Sequence, residues 1–400
     1  MLIHWIWFSR LPRITARQKI SLLRQFRDPE DIYEAGSELL RQIEWMTPKA
    51  LESLENKDLK NAEAILKTCS ERNISILTFC DRAYPKKLKN IEHPPMVLYY
   101  KGTLPDWESV PVIGMVGTRK ASAYGLTVAE QMGYEIAACG ALVVSGGADG
   151  IDTMALEGAM QAKKKVVAVL GFGADVVYPA KNRGLFERIE KQGCLITEYI
   201  PGTPPNGWNF PQRNRIISGV SAGVVILEAP EQSGALNTAN HASEQGRDIF
   251  VVPANVNSIN SAGSNQLLRQ RAIAVFTGWD VVQEYESLYP NAVRKFSGHC
   301  PKPLQVAQEP VIPHIQQKPK AAPCKKCIDN PEKSQYSVED NGLCLTEDEQ
   351  AIMKHLTLQP KAVDEVIAEA QLPAAKVLTL LTKLAMKGIV KNHPGKRVSK

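Results

Sequence analysis

The sequence predicts an α/β protein: a Rossmann-like parallel sheet domain with an N-terminal helical module and a C-terminal winged-helix domain. Three observations support this prediction. Short β-branched runs alternate with amphipathic helical stretches between residues 110 and 285, apolar residues recur at helical spacing over the first 70 residues, and helical periodicity returns after residue 344. Strand–helix alternation with near-continuous apolar strands is typical of a parallel sheet covered by helices on both faces.

Bulk composition limits the class of protein. With 400 residues the chain is too long for one compact core, so two or three domains are expected. The hydrophobic share of 44% and the charged share of 22% are those of an ordinary globular protein. The net charge of +6 is compatible with a nucleic-acid partner, although many basic proteins bind none.

Nothing in the sequence predicts a membrane anchor or an export signal. No stretch approaches the apolar length of a membrane span. The apolar start, residues 1–8, runs into Arg10, Arg13 and Arg17 without a small-residue cleavage site, which favours a buried first helix over a signal peptide. The 8 cysteines are scattered, so we expect reduced thiols and a cytoplasmic protein.

Residues 1–72 are expected to form a small helical module of the SAM or helix-hairpin-helix type. Apolar residues such as Ile20, Leu23 and Phe26 follow helical spacing. Pro29 stands where a proline is tolerated, in the first turn of a predicted helix. The module therefore precedes the sheet domain as a separate run of short helices.

The central region, residues 73–290, is expected to form the sheet domain. The runs that predict its strands are Val112–Val116, Leu142–Ser145, Val166–Leu170, Leu195–Thr197, Val224–Leu227 and Ile249–Val252. The helical segments that separate these runs are 124–138, 152–162, 182–191, 211–219 and 234–245. The pattern does not give the order of the strands in the sheet.

Composition changes again after the sheet domain. Residues 291–343 are rich in Pro, Lys and Gln, which predicts an extended linker. Residues 344–400 then contain helical segments near 347–357, 361–370 and 374–387, followed by a short apolar run and a basic end. Three short helices and a terminal β element predict a winged helix.

Glycine-rich segments follow the first three predicted strands. They are Gly117-Thr118-Arg119-Lys120-Ala121-Ser122, Ser145-Gly146-Gly147-Ala148-Asp149-Gly150-Ile151-Asp152 and Gly171-Phe172-Gly173. Ligands of open parallel sheets bind at the carboxyl ends of the strands, where small residues let backbone N–H groups approach and a helix N-terminus favours an anion. We therefore expect a phosphate ligand at this edge, with tight turns that bind nothing as the alternative.

Two common nucleotide-binding motifs are absent from the sequence. No G-x-x-x-x-G-K-[ST] occurs, which argues against a P-loop NTPase. No G-x-G-x-x-G follows a strand, because Gly171-Phe172-Gly173 lacks the third glycine. A nicotinamide cofactor is therefore not expected, and neither is any other cofactor.

The segment Asn209-Phe210-Pro211-Gln212-Arg213-Asn214-Arg215 combines cations with an aromatic ring near a predicted helix start. Proteins that bind single strands use positive charge to follow the backbone and aromatic rings on which bases stack, at about 1–3 kcal/mol for each base. The segment therefore predicts binding of a single strand. A buried Phe210 with surface arginines is the other interpretation.

An ordered set of motifs makes the interpretation more specific. The set comprises Gly117-Thr118-Arg119, Ser145-Gly146-Gly147-Ala148-x-Gly150-Ile151-Asp152, Tyr178-Pro179, Phe210-Pro211-x-Arg213-Asn214-Arg215-Ile216-Ile217-Ser218-Gly219 and Ser233-Gly234-Ala235-Leu236-x-Thr238-Ala239. In this order the motifs resemble the DprA/Smf family of DNA-processing proteins. The resemblance extends from about residue 84 to about residue 282, and its most specific part is the Phe-Pro-x-Arg-Asn-Arg string.

The resemblance implies a function and a set of partners. Members of the family bind single-stranded DNA, form dimers and load the RecA recombinase onto DNA, notably in natural transformation, and they are not known as enzymes. It also implies roles for individual residues in DNA binding. The residues that match are Gly117, Thr118, Arg119, Ser145, Gly146, Gly147, Lys181, Phe210, Arg213, Asn214 and Arg215.

These residues differ in the roles that the resemblance implies. Arg119 is expected to contact a backbone phosphate, and Phe210 to lie against a base. Arg213 and Arg215 are expected to line or brace the basic pocket. For Asn214 two roles are open: it is expected either to fix the geometry of the loop or to contact DNA.

The sequence departs from the family pattern at two places. The second glycine loop commonly reads Gly-Leu-Ala-Arg-Gly-Ile-Asp, and here Gly147 replaces the Leu and Asp149 replaces the Arg. A carboxylate near a phosphate is unfavourable unless it points away or pairs with Arg119 or Lys120. Arg271 stands where the family usually has Gly, in the region that relatives use for dimer and RecA contacts.

Three other functions are weaker alternatives. Cys324-x-x-Cys327, between Cys300 and Cys344, has irregular spacing in a linker-like segment, so no metal is expected. A phosphoribohydrolase on a related Rossmann variant needs a Glu where this sequence has Ala239 and Asn240. A regulator acting through the winged helix would leave the pocket of the sheet domain unexplained.

Overall fold

The computed structural model of the chain describes residues 1–298, 352–357, 361–370, 376–377, 380–381, 384, 390–393 and 397–399. Residues 1–298 contain one large sheet. Its strands are β1 (Ser75–Thr78), β2 (Val97–Gly102), β3 (Val112–Val116), β4 (Leu142–Ser145), β5 (Val166–Val169), β6 (Cys194–Thr197), β7 (Gly223–Ile226), β8 (Asp248–Val251) and β9 (Ile273–Ala274).

The spatial order of the strands is β1-β2-β6-β5-β4-β3-β7-β8-β9. The strands from β3 to β9 are parallel to their neighbours, whereas β2 is antiparallel to both β6 and β1. The six strands expected from sequence are β3 to β8, each within one residue of its predicted bounds. The predicted parallel sheet is therefore confirmed. The antiparallel pair at one side and the short parallel strand β9 at the other are additions to it.

Helices cover both faces of the sheet. In chain order those of this region are α1 (Leu2–Arg10), α2 (Ala16–Gln25), α3 (Pro29–Glu34), α4 (Ser37–Arg41), α5 (Pro48–Glu55), α6 (Lys60–Glu71), α7 (Lys86–Lys89), α8 (Ala123–Ala138), α9 (Ile151–Gln161), α10 (Arg183–Gln192), α11 (Asn209–Val220), α12 (Gly234–Glu244), α13 (Ala262–Arg269) and α14 (Gly278–Val282). The apolar side chains of α8, α9 and α10 form one core with the sheet, and those of α11 and α12 form another.

The helical module packs directly against the sheet domain. Its core contains Trp5, Phe8 and Leu22, and the same cluster includes Val97 and Tyr99 from β2. Thr15 caps α2 in a capping box, as its side chain accepts the backbone N–H of Gln18. Residues 1–298 fall within one compact unit, so β2 positions the module beside the sheet.

The packed chain continues beyond residue 290, into the segment predicted as the start of the linker. Val293 is buried, and the ring of Phe296 lies edge-on to Tyr134 of α8 at 5.6 Å between centroids. The backbone N–H of Arg294 donates to Cys139 O at 3.0 Å. These apolar side chains are the reason that a segment of linker-like composition packs here.

The C-terminal unit is described by itself. Its described elements are β10 (Lys361–Ala362), α15 (Val363–Ala370), β11 (Lys391–His393) and β12 (Arg397–Ser399). The strands form an antiparallel sheet in the order β10-β12-β11, beside a small core that includes Ile352, Val366 and Leu381. The predicted linker after residue 298 and parts of two predicted helices, 347–357 and 374–387, lie outside the described residues.

Candidate nucleic-acid interface

The loops at the carboxyl edge of the sheet enclose a cavity of about 430 Å³. The loop after β3, the loop after β7 and the first turns of α11 and α12 form its walls. Six of the eleven residues predicted for DNA binding line it, and these are Gly117, Thr118, Arg119, Phe210, Arg213 and Asn214. We call this cavity the first cleft.

Arg119 and Phe210 form a stacked pair at the mouth of the first cleft. The guanidinium carbon of Arg119, an exposed residue, lies 4.7 Å from the centroid of the Phe210 ring. Phe210 packs in turn against Tyr178 and Phe172, with ring centroids 5.8 and 6.4 Å away. The cation therefore covers one side of the ring.

Arg213 is buried at the base of the first cleft, with 3% of its surface exposed. It donates to the carbonyl oxygens of Gly146, at 2.7 Å, and of Val169. Burial lowers the pKa of Arg213 to about 10, and nearby Asp152 opposes that shift. Arg213 thus braces the second glycine loop from below, and its exposed surface is too small for it to follow a DNA backbone.

Asp152 holds the same loop from the start of α9. Its carboxylate accepts the N–H groups of Gly146 at 3.1 Å and Ala148 at 3.4 Å. Burial raises the pKa of Asp152, while the charge of Arg213 and these N–H groups act to lower it. A buried carboxylate beside a buried guanidinium fixes the loop without adding net charge to the cleft.

Other residues of the second glycine loop also make hydrogen bonds within the protein. Ser145 is buried and donates its hydroxyl to Met115 O at 2.6 Å. Gly147 has a φ of +63°, and its carbonyl accepts the side-chain N–H of Asn182 at 3.1 Å. Ser145, Gly146 and Gly147 therefore shape the loop, and none of them lines the first cleft.

Lys181 pairs with Asp149 across the rim of the sheet. The Nζ atom of Lys181 lies 2.6 Å from Oδ2 of Asp149, and Oδ1 of Asp149 accepts the N–H of Gly150 at 2.9 Å. From the sequence, an ion pair with Arg119 or Lys120 was one way in which this carboxylate could be accommodated. The partner is instead Lys181, itself one of the residues predicted to bind DNA.

Asn214 and Arg215 point to different neighbours from α11. The side-chain N–H of Asn214 donates to Gly234 O at 3.2 Å, which ties α11 to the start of α12. Arg215 makes two hydrogen bonds to the carboxylate of Glu198, at 2.7 and 2.6 Å. Arg215 lines a separate cavity and not the first cleft.

The start of α12 contributes residues that sequence reasoning did not assign to the site. Ser233, Gly234, Ala235 and Thr238 line the first cleft. Thr238 is 1% exposed, and its hydroxyl has no hydrogen-bond partner among the described residues. The Ser-Gly-Ala-Leu-x-Thr string was the available signal, because small residues at a helix N-terminus are typical of an anion site.

Trp208 is a second residue that the sequence reasoning missed. It directly precedes α11 and is 79% exposed, next to Gly207, which lines the first cleft. A large aromatic ring exposed to solvent beside a polar cleft is unusual for a residue that serves only packing. The signal was its position, two residues before Phe210 in a loop of Pro, Gly and Asn.

Two kinds of feature, a cluster of metal ligands and a membrane-spanning helix, are absent from the described part of the chain. There, no group of three or more His, Cys, Asp or Glu side chains could hold a metal ion. Cys300, Cys324, Cys327 and Cys344 lie outside that part. Among the residues that the structure describes, no helix is long and apolar enough to cross a membrane.

A parallel sheet with a cationic, glycine-lined cleft at its carboxyl edge defines a Rossmann-like protein. Comparison with known families is more specific. Residues 75–286 match the family model of DNA recombination-mediator protein A, and residues 341–396 match that of the DprA winged helix domain. The chain belongs to the DprA/Smf family of DNA-processing recombination mediators, as the motifs indicated.

Individual relatives agree with the family. Protein Smf of Synechocystis is 29% identical over 98% of this chain and 97% of that protein. The X-ray structure of DprA from Streptococcus pneumoniae has a TM-score of 0.62 and 31% identity, and covers 71% of this chain and 98% of that one. DprA from Helicobacter pylori, whose structure concerns its single-stranded DNA binding mode, has a TM-score of 0.50 and 28% identity, with 55% and 99% covered.

Proposed function

We propose that this protein binds single-stranded DNA along the carboxyl edge of its sheet and loads the RecA recombinase onto the bound strand, as in natural transformation. The observation that supports this most is the stacked pair of Arg119 and Phe210, which places a cation and an aromatic ring together at the mouth of the first cleft. The single-strand binding reported for the Helicobacter pylori relative agrees with it.

The chemistry of the first cleft suits an unpaired strand better than a duplex. Arg119 and Lys120 are exposed and can follow phosphates, while the ring of Trp208 offers a face on which an unstacked base can lie. In a duplex the bases are stacked on each other and their faces are not available. We therefore assign Arg119 to a phosphate and Trp208, with the Arg119–Phe210 pair, to bases.

Homodimer formation is part of the proposal, through the side of the sheet that ends in β9. Ile273 of this strand is 41% exposed and nearby Phe276 is 74% exposed, next to an open strand edge. Arg271 just before β9 has a φ of +72°, a conformation that favours glycine. That backbone angle gives a physical reason for the Gly expected there from the family pattern.

We propose a binding role in the cytoplasm and no catalysis. Asp152 is the carboxylate that lines the first cleft, and its hydrogen bonds to Gly146 and Ala148 commit it to holding a loop. A phosphoribohydrolase needs a free acid near its nucleotide, and the matching positions here hold Ala239 and Asn240. Release of free base from nucleoside monophosphates by the purified protein would contradict this part.

Binding of the full-length chain to oligo-dT and to a duplex of the same length, at several salt concentrations, tests the proposal. We expect tighter binding to the single strand, weakening as salt rises. Arg119→Ala should lower the affinity about tenfold. Lys164→Ala is the matched control, because Lys164 is an exposed cation at the opposite edge of the sheet, just before β5.

Two results would count against the proposal. Equal affinity for the single strand and the duplex would reject the preference for unpaired DNA. Equal affinity of the Arg119→Ala and Lys164→Ala variants would reject the assignment of the first cleft. RecA loading has its own test, in which the protein should speed assembly of RecA on a single strand and Arg119→Ala should remove that effect.

A further inference from the structure

A second cavity, of about 330 Å³, lies between the helical module and the sheet domain. Arg10 and Lys19 line it from the module, and Tyr99, Glu198 and Arg215 line it from the sheet domain. All of these residues belong to the same compact unit. We call this cavity the second pocket.

Lys19 places a buried ammonium group in the second pocket. The residue is 7% exposed, and its Nζ atom donates to Ser9 O at 2.6 Å. Burial, together with the charge of Arg10, lowers the pKa of Lys19 to about 8. An ammonium group has three donors. This buried one meets a single carbonyl, the Phe8 ring 6.0 Å away and the charge of Arg10, so it has no anionic partner among the described residues.

Tyr99 adds a hydrogen-bond donor to the same pocket. It is 1% exposed, and its hydroxyl has no hydrogen-bond partner among the described residues. Burial raises the pKa of Tyr99, the nearby thiol of Cys69 adds to that shift and the charge of Arg10 opposes it, so the hydroxyl keeps its proton. A cavity lined by two cations and by a tyrosine with an unpartnered hydroxyl is suited to an oxyanion.

The acidic residue of the pocket is already neutralised. Glu198 makes two hydrogen bonds to Arg215, at 2.7 and 2.6 Å, in the geometry of a bidentate pair. This pair contributes no net charge. The charges of Arg10 and Lys19 therefore remain, and the pocket is positive overall.

The second pocket lies along the same edge of the sheet as the first cleft. Glu198 directly follows β6, and β6 is parallel to the strands that end at the first cleft. Arg215 stands two residues after Arg213 on α11, so this helix borders both cavities. Three strand spacings of about 4.8 Å separate β6 from β3, a span that a short run of nucleotides covers.

We propose that the second pocket binds a backbone phosphate of the same single strand that occupies the first cleft, with Lys19, Arg10 and Tyr99 as its donors. This assignment rests on the proposed function and extends the DNA path from the sheet domain to the helical module. The ligand chemistry is that of a phosphate oxyanion, and free inorganic phosphate is the competing source.

The test measures the affinity of oligothymidylates of increasing length for the full chain and its variants. Lys19→Met removes the charge, and Tyr99→Phe removes the hydroxyl while keeping the ring. We expect both variants to bind the shortest oligonucleotides as the wild type does. For oligonucleotides long enough to reach both cavities, affinity should fall about tenfold for Lys19→Met and about threefold for Tyr99→Phe.

Lys67→Met is the matched control, because Lys67 is an exposed lysine of α6 in the same module and pairs with Glu71. It should bind every length like the wild type. Wild-type affinity of Lys19→Met and Tyr99→Phe at every length would overturn the assignment. An equal loss at every length would also overturn it, because the two residues would then act on the first cleft.

A titration with inorganic phosphate, followed by the thermal unfolding midpoint, separates this inference from the proposed function. If the wild type binds no oligonucleotide, the proposed function fails and the strand assignment fails with it. Stabilisation by phosphate that Tyr99→Phe abolishes would then identify free phosphate as the ligand. If oligonucleotides bind and only the length dependence is missing, the proposed function stands and the second pocket alone is rejected.

Discussion

Lys181 and Asp149 form an ion pair at the edge of the sheet, with 2.6 Å between Nζ and Oδ2. Both side chains are partly exposed, at 62% and 40%, so solvent screens the pair and it adds little to stability. The ion pair matters instead for the proposed binding of DNA. Lys181 is among the residues expected to bind DNA, and its charge is offset by a carboxylate where the family pattern has Arg.

Asp149→Asn should therefore raise the affinity for single-stranded DNA. The change removes a negative charge from the rim and frees Lys181, while the Asn oxygen can still accept the N–H of Gly150. We expect a gain of about threefold to tenfold at low salt. If Lys181 gains a phosphate contact, the slope of log affinity against log salt should steepen by about 0.7.

A double-mutant comparison checks the reason for that gain. Lys181→Met should cost little affinity in the wild type, where Asp149 holds the cation, and more in the Asp149→Asn background. The same cost in both backgrounds would mean that Asp149 acts through its own charge alone. A loss of affinity on Asp149→Asn would show that the carboxylate supports the DNA-binding loop.

Substitutions of Arg119 and Arg213 should have different effects: the first should weaken DNA binding, and the second should lower the stability of the fold. Arg213→Met leaves Asp152 buried without the charge that offsets it, and removes the hydrogen bonds to Gly146 O and Val169 O. Losing one partner of a buried charge pair costs roughly 3–5 kcal/mol. Chemical denaturation should show this loss for Arg213→Met and none for Arg119→Ala, whose side chain is exposed.

The Asp152→Asn change in the Arg213→Met background provides the control. An Asn oxygen still accepts the N–H groups of Gly146 and Ala148 but has no charge to bury, so part of the lost stability should return. No recovery would mean that packing and hydrogen bonds of Arg213, and not the charge of Asp152, account for the cost.

The sequence predicted strands β3 to β8 well because they are mostly buried and therefore mostly apolar. Strands β1, β2 and the two-residue β9 were not predicted. The four residues of β1 and the sequence Val-Leu-Tyr-Tyr-Lys-Gly of β2 lack the strand–helix alternation on which the prediction depended. Their antiparallel pairing depends on contacts between distant parts of the chain, which periodicity does not record.

The site was predicted less completely than the fold. Glycine loops and the Phe-Pro-x-Arg-Asn-Arg string identified the edge of the sheet, but residue type did not show which arginine is exposed. The direction of a side chain on α11 depends on how the helix rotates against the sheet. That rotation buries Arg213 and turns Arg215 to Glu198, while Trp208, just before the helix, is exposed to solvent.

Two glycines of the sheet domain should respond to alanine in opposite ways. A methyl group on Gly158 of α9 would clash with the carbonyl oxygen of Glu130, because α8 and α9 are in close contact there. Gly158→Ala should cost about 1–3 kcal/mol or more. Gly184 of α10 has open space around it, so Gly184→Ala should stabilise by about 0.5–1 kcal/mol. Urea denaturation measures both, and a stabilising Gly158→Ala would contradict the close approach of the helices.

Trp208 should report directly on bound DNA. Its exposed ring is available for stacking, and a stacked base contributes about 1–3 kcal/mol. Trp208→Ala should weaken oligo-dT binding by about tenfold and remove most of the fluorescence quenching that DNA causes. Trp208→Phe keeps a ring, so it should retain more of the affinity while losing the signal. Unchanged affinity of Trp208→Ala would leave the Arg119–Phe210 pair as the base contact.

The buried charge of Lys19, which we propose binds a phosphate in the second pocket, should lower the stability of the free protein. Its folded-state pKa of about 8 lies below the usual value of 10.5, so the unfolded chain binds the proton more tightly. The destabilisation is fully present below pH 8 and is relieved as the pH rises from about 8 to 10.5. At pH 7, Lys19→Met should be more stable than the wild type by about 1–3 kcal/mol, after the loss of the bond to Ser9 O.

The advantage of Lys19→Met in urea denaturation should shrink between pH 7 and pH 10, because the wild type recovers stability when Lys19 loses its proton. A constant difference would show that packing, and not the charge, separates the two proteins. The same variant is expected to bind long oligonucleotides more weakly. Together the two results would identify Lys19 as a phosphate-binding residue, because it lowers stability when the pocket is empty and raises affinity when a phosphate fills it. A residue that serves packing alone would change stability without any dependence on oligonucleotide length.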